Sequence, residues 1–203
     1  MNMQLFMPEL TSESSVRNGP FPTEYIRNVV NPSDFPKLMV LISGEGEMDH
    51  SAEWGFVPPW VRDSEHAREI GSLRYSTSVD ALFAIVTYAE QVKRKRCCIP
   101  VLGFAIGSST VTEGVRNYSA ANGEIVYLAG VLSDWKNSRT QTIHRTFAII
   151  TQPIPASAGK RQSTDWLPFV FSPDEMRRWL QPTLTVVRIR ELLQPQTNRV
   201  QQD

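Results

Sequence analysis

The chain has 203 residues, 41% of them hydrophobic and 21% charged, which is ordinary for a folded protein and enough for one well-buried domain. Lys plus Arg and Asp plus Glu both number 21, so no global field draws the protein to nucleic acid, and any anion-binding surface must be local. No apolar run approaches the roughly 20 residues of a membrane span, and the opening MNMQLFMPELTSE lacks the basic region and apolar core of a secretory signal.

Residues 8 to 37, rich in Pro, Ser and Asn, read as irregular surface structure. LMVLIS (38–43) predicts a strand ended by the turn GEGEMD. AEWGFVPPWVRD follows, in which Pro58 and Pro59 fix φ and remove two backbone donors. That segment is neither a helix interior nor a central strand, and Val57 before the prolines is pushed towards extended geometry. Trp60 is therefore expected at the end of a rigid extended rung. RDSEHAREIGS reads as an exposed loop or short helix. From Ser78 the pattern is helical, with Leu82, Ile85 or Val86, Ala89 and Val92 at helical spacing and KRKR at the C-terminal end, where cations suit the dipole. CCIPVLGFAIG (97–107), almost wholly apolar, predicts a buried strand, and EIVYLAGVLSDW (124–135), TFAIIT (146–151) and LPFVF (167–171) predict three more. Ser172-Pro173-Asp174-Glu175 starts a helix, with Ser at the cap, Pro at the first turn and Glu placed for a capping box. TLTVVRIREL (183–192) is a last strand or helix, before a tail expected to fray. Strands come mostly without intervening helices, so the class is α+β with a largely antiparallel sheet. The expected organisation is one domain over residues 1–203, irregular at both ends.

Chemistry-bearing residues are sparse. Cys97 and Cys98 are adjacent, and neighbours on a strand point to opposite faces, which makes them poor disulfide or metal partners. His50, His66 and His144 are too scattered for metal-site spacing. His144 has no acidic or nucleophilic residue close by in sequence, and Asp49-His50 reads as solvated. GEGE (44–47) has no lysine or helix start after it to make a phosphate loop. Trp54 reads as a core plug. Trp60, beside Val61-Arg62-Asp63, is either a plug or a surface platform on which a base stacks. KRKR (93–96) is either helix-terminal charge or a phosphate footprint. No cofactor, no metal and no membrane partner is implied, and the expected location is the cytoplasm.

WGFVPPW (54–60), KRCCIPVLGFAIG (95–107), LAGVLSDW (128–135), TFAIIT (146–151) and TDWLPFVFSPDEMRRWL (164–180) stand in this order along the chain. Together they resemble the SOS-response-associated peptidase (SRAP) family, the abasic-site-processing proteins. That family's run is WGxxPxW, a short Asn-Ala-Arg stretch, RRCxIPxxGFxEW, AGLWxxW, TFxIIT and HxRMPxxLxPxxxxxWL. The resemblance covers about residues 25 to 180. It implies a barrel-like core with flanking helices, a link to the DNA damage response, and a cleft that grips single-stranded DNA. The residues assigned to such a cleft here are Pro59, Trp60, Arg62, Arg74, Lys93 and Arg94. The family's chemistry uses a cysteine at position 2, whose amine and thiol close a thiazolidine on the aldehyde of an abasic site. An Asn positions the sugar, and a Glu and a His move protons.

This sequence departs from that pattern at each position: Asn2 replaces the cysteine, Tyr75 the asparagine, Ile106 the glutamate and Thr164 the histidine. Asn2 is also too bulky for routine removal of Met1. No catalytic residue is therefore assigned. Three readings follow: a non-catalytic DNA-binding member, an SRAP scaffold turned to protein contact (a phage or mobile-element accessory protein, its partner unspecified), or chemistry surviving through Cys97 or Cys98.

Overall fold

A computed structural model describes residues 2–8, 28–44, 50–107, 115–119, 124–153, 166–194 and 201–202. The elements open with β1 (Asn2–Met7), β2 (Asn28–Val30), a 3-10 turn (Pro32–Asp34), β3 (Lys37–Ile42) and β4 (His50–Trp54). They continue with α1 (Ser64–Leu73), β5 (Ser76–Ser78), α2 (Val79–Ala84), α3 (Val86–Arg94), β6 (Arg96–Val101), β7 (Gly103–Gly107) and β8 (Val115–Ser119). Then come β9 (Val126–Lys136), β10 (Ile143–Pro153), β11 (Trp166–Pro168), β12 (Val170–Phe171), α4 (Pro173–Trp179), α5 (Val186–Leu192) and β13 (Gln201–Gln202).

Strand pairing closes a ring. β10 pairs with β4, β4 with β3, β3 with β6, β6 with β9, and β9 returns to β10, so five strands form a closed barrel. Only the joins of β10 to β4 and β5 are parallel among these described pairings; the others are antiparallel. Alternation along the strands decides which residues fill the barrel. Leu38, Val40, Ile42, Ala52, Trp54, Cys97, Ile99, Leu128, Leu132, Phe147 and Ile149 form one buried cluster. Their neighbours Leu41, Cys98, Ala129, Val131, Ala148 and Ile150 belong to a second, which the helices cover with Leu82, Tyr88, Val92, Trp179 and Ile189. The opposite orientation expected of Cys97 and Cys98 is thus met. A second sheet, ordered β13-β8-β7-β1-β2, adds Met3, Leu5, Phe104 and Ile106 to the first cluster, at the end where β6 leaves the barrel. No helix among the described residues is long and apolar enough to cross a membrane.

The α+β class and barrel-like core expected from the sequence are present. Several boundaries differ, each for a physical reason. The helix expected from Ser78 is two helices, because Ile85 takes an extended backbone (φ −90°, ψ 116°). Leu82 and Tyr88 are both buried, yet six residues along a continuous helix would set them about 120° apart around its axis. The break turns both inward and leaves Ile85 and Val86 exposed. The apolar run 97–107 is two strands in different sheets, broken at Leu102. Gly103 marks the change of sheet, since a Cβ there would lie 2.4 Å from the Tyr118 carbonyl oxygen. RDSEHAREIGS holds a true helix, capped by Asp63, whose carboxylate accepts from the His66 N–H at 2.8 Å. Within the segment expected to be irregular, the described residues 28–37 hold β2, which pairs with β1, and a 3-10 turn. Residues 9–27 lie outside the described residues, and β1 itself is not foreseen by the sequence. The last segment is helical at α5, and Gln201–Gln202 pair with β8 rather than fray. Most of the GEGEMD turn, including Asp49, lies outside the described residues. The capping box is formed as expected: Ser172 accepts from the Glu175 N–H, and Glu175 accepts from the Ser172 N–H at 3.0 Å.

Candidate nucleic-acid interface

The two tryptophans of the WGFVPPW segment have opposite fates. Trp54 is fully buried, donates its indole N–H to the Tyr75 carbonyl at 2.8 Å, and stacks on Phe147 with ring centroids 6.4 Å apart. It is the core plug the sequence suggested. Trp60 is 52% exposed. It does not end an extended rung: the Val61 N–H bonds the Pro58 carbonyl at 3.1 Å, so residues 58–61 form a β-turn with Pro59 and Trp60 at its corner. Proline at the second turn position presets the required φ, so the indole is displayed by a stiff corner. Its outer neighbour is the His66 ring, 5.6 Å away and tilted by 55°. Val57 and Val61 face inward onto Ala67 and Trp135, which anchors the turn from below. The Val57 N–H also donates to Thr146 Oγ1 at 3.0 Å.

Arg62 continues this corner and is exposed, while its carbonyl accepts from Ser138 at the tip of the β9–β10 hairpin. Arg74 ends α1 behind the turn. Its carbonyl accepts from the Phe56 N–H at 3.0 Å, and its charge acts on the Tyr88 phenol, partly offsetting the burial that raises that phenol's pKa. Pro59, Trp60 and Arg62 follow in close succession on this corner, while Arg74 contacts the segment through its carbonyl at Phe56. The basic run has partners of its own. Lys93 pairs with Glu90 at 2.7 Å, Arg94 is exposed beside it, and Lys95 pairs with Asp134 at 2.8 Å. Arg96 is fully buried. No hydrogen bond, ion pair or ring contact among the described residues links Lys93 or Arg94 to Trp60 or Arg62.

Two of the positions that resemble the family's reactive centre lie on neighbouring strands of the second sheet. Asn2 in β1 lies opposite Gly107, and Met3 opposite Ile106. Ile106 is buried in the apolar cluster on which Tyr75 packs, and burial raises the Tyr75 phenol above its ordinary pKa. Thr164 lies outside the described residues. Both cysteines are completely buried, and desolvation holds their thiols far above the ordinary cysteine range. The thiolate is the nucleophile, so neither cysteine is equipped to attack a substrate. Sequence reasoning missed one pairing: Glu53 Oε1 lies 3.8 Å from His144 Nδ1, and the His144 ring stacks on Trp135 at 4.6 Å. The carboxylate comes from β4, far along the chain, and only the parallel β4–β10 pairing brings it there.

A closed five-stranded barrel with an edge sheet and a Pro-Trp corner defines the class of fold. The family model for SOS response associated peptidase (SRAP) matches residues 10–202, and the chain belongs to that family, which is tied to the response to DNA damage. A protein of Bacteroides thetaiotaomicron is 26% identical with a TM-score of 0.74, over 86% of this chain and 75% of that one. A protein of Bordetella bronchiseptica reaches the same TM-score at 14% identity, over 98% of this chain and 97% of its own. A phage-related protein from Bordetella bronchiseptica has a TM-score of 0.60 at 14% identity, over 93% and 86%. The two more distant likenesses show the fold alone. No curated protein matches the chain.

Proposed function

We propose that this SRAP-family protein binds single-stranded DNA through the Trp60 corner and does not form the covalent link to abasic sites that the family resemblance implies. The observation that carries the binding reading is a half-exposed indole at a proline-fixed turn with the Arg62 cation beside it. A nucleobase has a π-face whatever its identity, so such a corner stacks bases without reading sequence, while the cations follow phosphates. Trp60→Ala is expected to weaken binding of a short oligonucleotide by about 1–3 kcal/mol, the usual range for one base–aromatic stack. Fluorescence titration is suited to the test, because Trp54, Trp135 and Trp179 are buried and bases quench only an accessible indole. Trp166 is partly exposed, so the Trp60→Ala protein is titrated beside wild type to isolate the Trp60 signal. A wild-type protein that shows no binding at low salt moves the function to protein contact.

The second half of the proposal follows from missing groups. A stable thiazolidine needs a free amine and a thiol on the same residue, and Cys97 and Cys98 have their amines in peptide bonds and their thiols sealed in the core. Ile106 offers no carboxyl for proton transfer, and Tyr75 no amide to hold a sugar. Protein incubated with abasic single-stranded DNA is expected to give no heat-stable band on a denaturing gel. A borohydride-dependent band would report only a transient imine with an amine. A heat-stable band without borohydride contradicts this half of the proposal. Asn2→Cys alone is expected to recover little, because Tyr75 and Ile106 still occupy the neighbourhood.

A further inference from the structure

We infer that the tip of the β9–β10 hairpin belongs to the same DNA surface, with Arg139 as a phosphate contact beside the Trp60 corner; this rests on the DNA-binding reading above. The hairpin is tied to that corner directly. The Ser138 N–H and hydroxyl both donate to the Arg62 carbonyl, at 2.7 and 3.0 Å, and the Asn137 side-chain amide donates to Ser64 Oγ at 2.7 Å. Asn137 also builds the tip. It is buried, and its Oδ1 accepts from the backbone N–H groups of Arg139 (2.9 Å) and Thr140 (3.1 Å), an Asx turn that fixes the backbone at Arg139. Gln141 closes the tip in a left-handed conformation (φ 60°), uncommon for a residue with a side chain.

The outcome is two cations on adjoining, rigidly connected backbone. Arg62 and Arg139 are exposed, and neither makes an ion pair among the described residues. Two other exposed arginines are paired three residues away, Arg177 with Asp174 and Arg188 with Glu191, whereas Arg68, Arg94 and Arg178 make no ion pair among the described residues. What sets Arg62 and Arg139 apart is the backbone tie they share beside Trp60. The nearest acid in sequence, Asp63, is committed to capping α1. A hydrogen-bonded backbone that carries two exposed cations beside an exposed indole suits an anionic strand, its bases on the indole and its phosphates on the cations. Ser138 and Asn137 alone would suffice to staple the hairpin, so a structural tie does not by itself call for a cation at 139.

The test is anisotropy of a labelled oligothymidylate against the full chain over a salt series. The proteins are wild type, Trp60→Ala, Arg139→Ala, Arg139→Lys and the remote control Arg188→Ala. Each phosphate contact on a single strand contributes about 0.7 to the slope of log affinity against log salt. Arg139→Ala should lower the slope by about that amount, Arg139→Lys should restore it, and Arg188→Ala should leave it unchanged. If Trp60→Ala weakens binding while Arg139→Ala leaves the slope at the wild-type value, the hairpin assignment is overturned and the binding reading survives. If wild type fails to bind at low salt, both are overturned. A slope lowered equally by Arg188→Ala also overturns the assignment, because it reports net charge and not a contact.

Discussion

Replacing Arg96 with leucine is expected to cost about 2–5 kcal/mol of folding stability, from buried carbonyls that lose their donor, a large share of what a domain of this size possesses. Arg96 is completely buried, and its charge has no carboxylate partner among the described residues. Its Nε donates to the Trp179 carbonyl at 2.8 Å, and Nη1 donates to the carbonyls of Val92 (2.9 Å) and Lys93 (3.0 Å). Nη2 donates to the Gln181 carbonyl, and the guanidinium lies 5.8 Å from the centre of the Trp179 ring. One side chain therefore satisfies the last carbonyls of α3 and of the α4 end, where the helix dipoles are negative. Leucine fills part of the volume but strands those carbonyls, and a buried acceptor left unpaired costs about 1–3 kcal/mol. Arg96→Lys is expected to fall between the two, because an ammonium cannot span two helix ends with a planar fork. Urea unfolding of the three proteins measures this, and an Arg96→Leu protein within about 1 kcal/mol of wild type would refute the clamp.

Gly55→Ala is the second large effect, expected at about 2–5 kcal/mol from backbone strain and overpacking together. Gly55 has φ 144°, which side-chain-bearing residues rarely adopt. A Cβ there would also lie 2.9 Å from the Gly71 carbonyl oxygen and 2.9 Å from Phe35 Cε1. The same three residues constrain Gly71, whose added Cβ would meet Phe35 Cε1 at 2.6 Å. The two positions differ in what obstructs them, backbone at Gly55 and mainly a side chain at Gly71. Phe35→Leu should therefore rescue much of the loss in Gly71→Ala and little of the loss in Gly55→Ala. Thermal unfolding of the single and double variants checks this, and equal rescue would contradict it. Gly55 opens the segment that carries Trp60, so the Gly55→Ala protein should also bind oligonucleotide more weakly than its folded fraction explains.

The sequence by itself determined the strand-rich class, the burial of Trp54, the opposed faces of Cys97 and Cys98, and the start of α4. Each rests on local physics: alternation along a strand, or a cap within one helical turn. It also showed the stiffness of the Pro58-Pro59 segment, though not that Trp60 would sit on a turn, because that depends on the Val61 to Pro58 hydrogen bond. Tertiary structure decided how the basic run divides. Lys93, Arg94, Lys95 and Arg96 look alike as neighbours, yet Arg96 is drawn into the core by helix ends 83 to 85 residues away in sequence, while Lys95 is held by Asp134. It likewise decided the break at Ile85, where burying both Leu82 and Tyr88 outweighed helical continuity. The link between Arg62 and Ser138 spans 76 residues and is made by main-chain and hydroxyl groups that any sequence contains. Such groups carry no pattern of their own; only the closed barrel, by fixing where β9 turns into β10, brings them within hydrogen-bond reach.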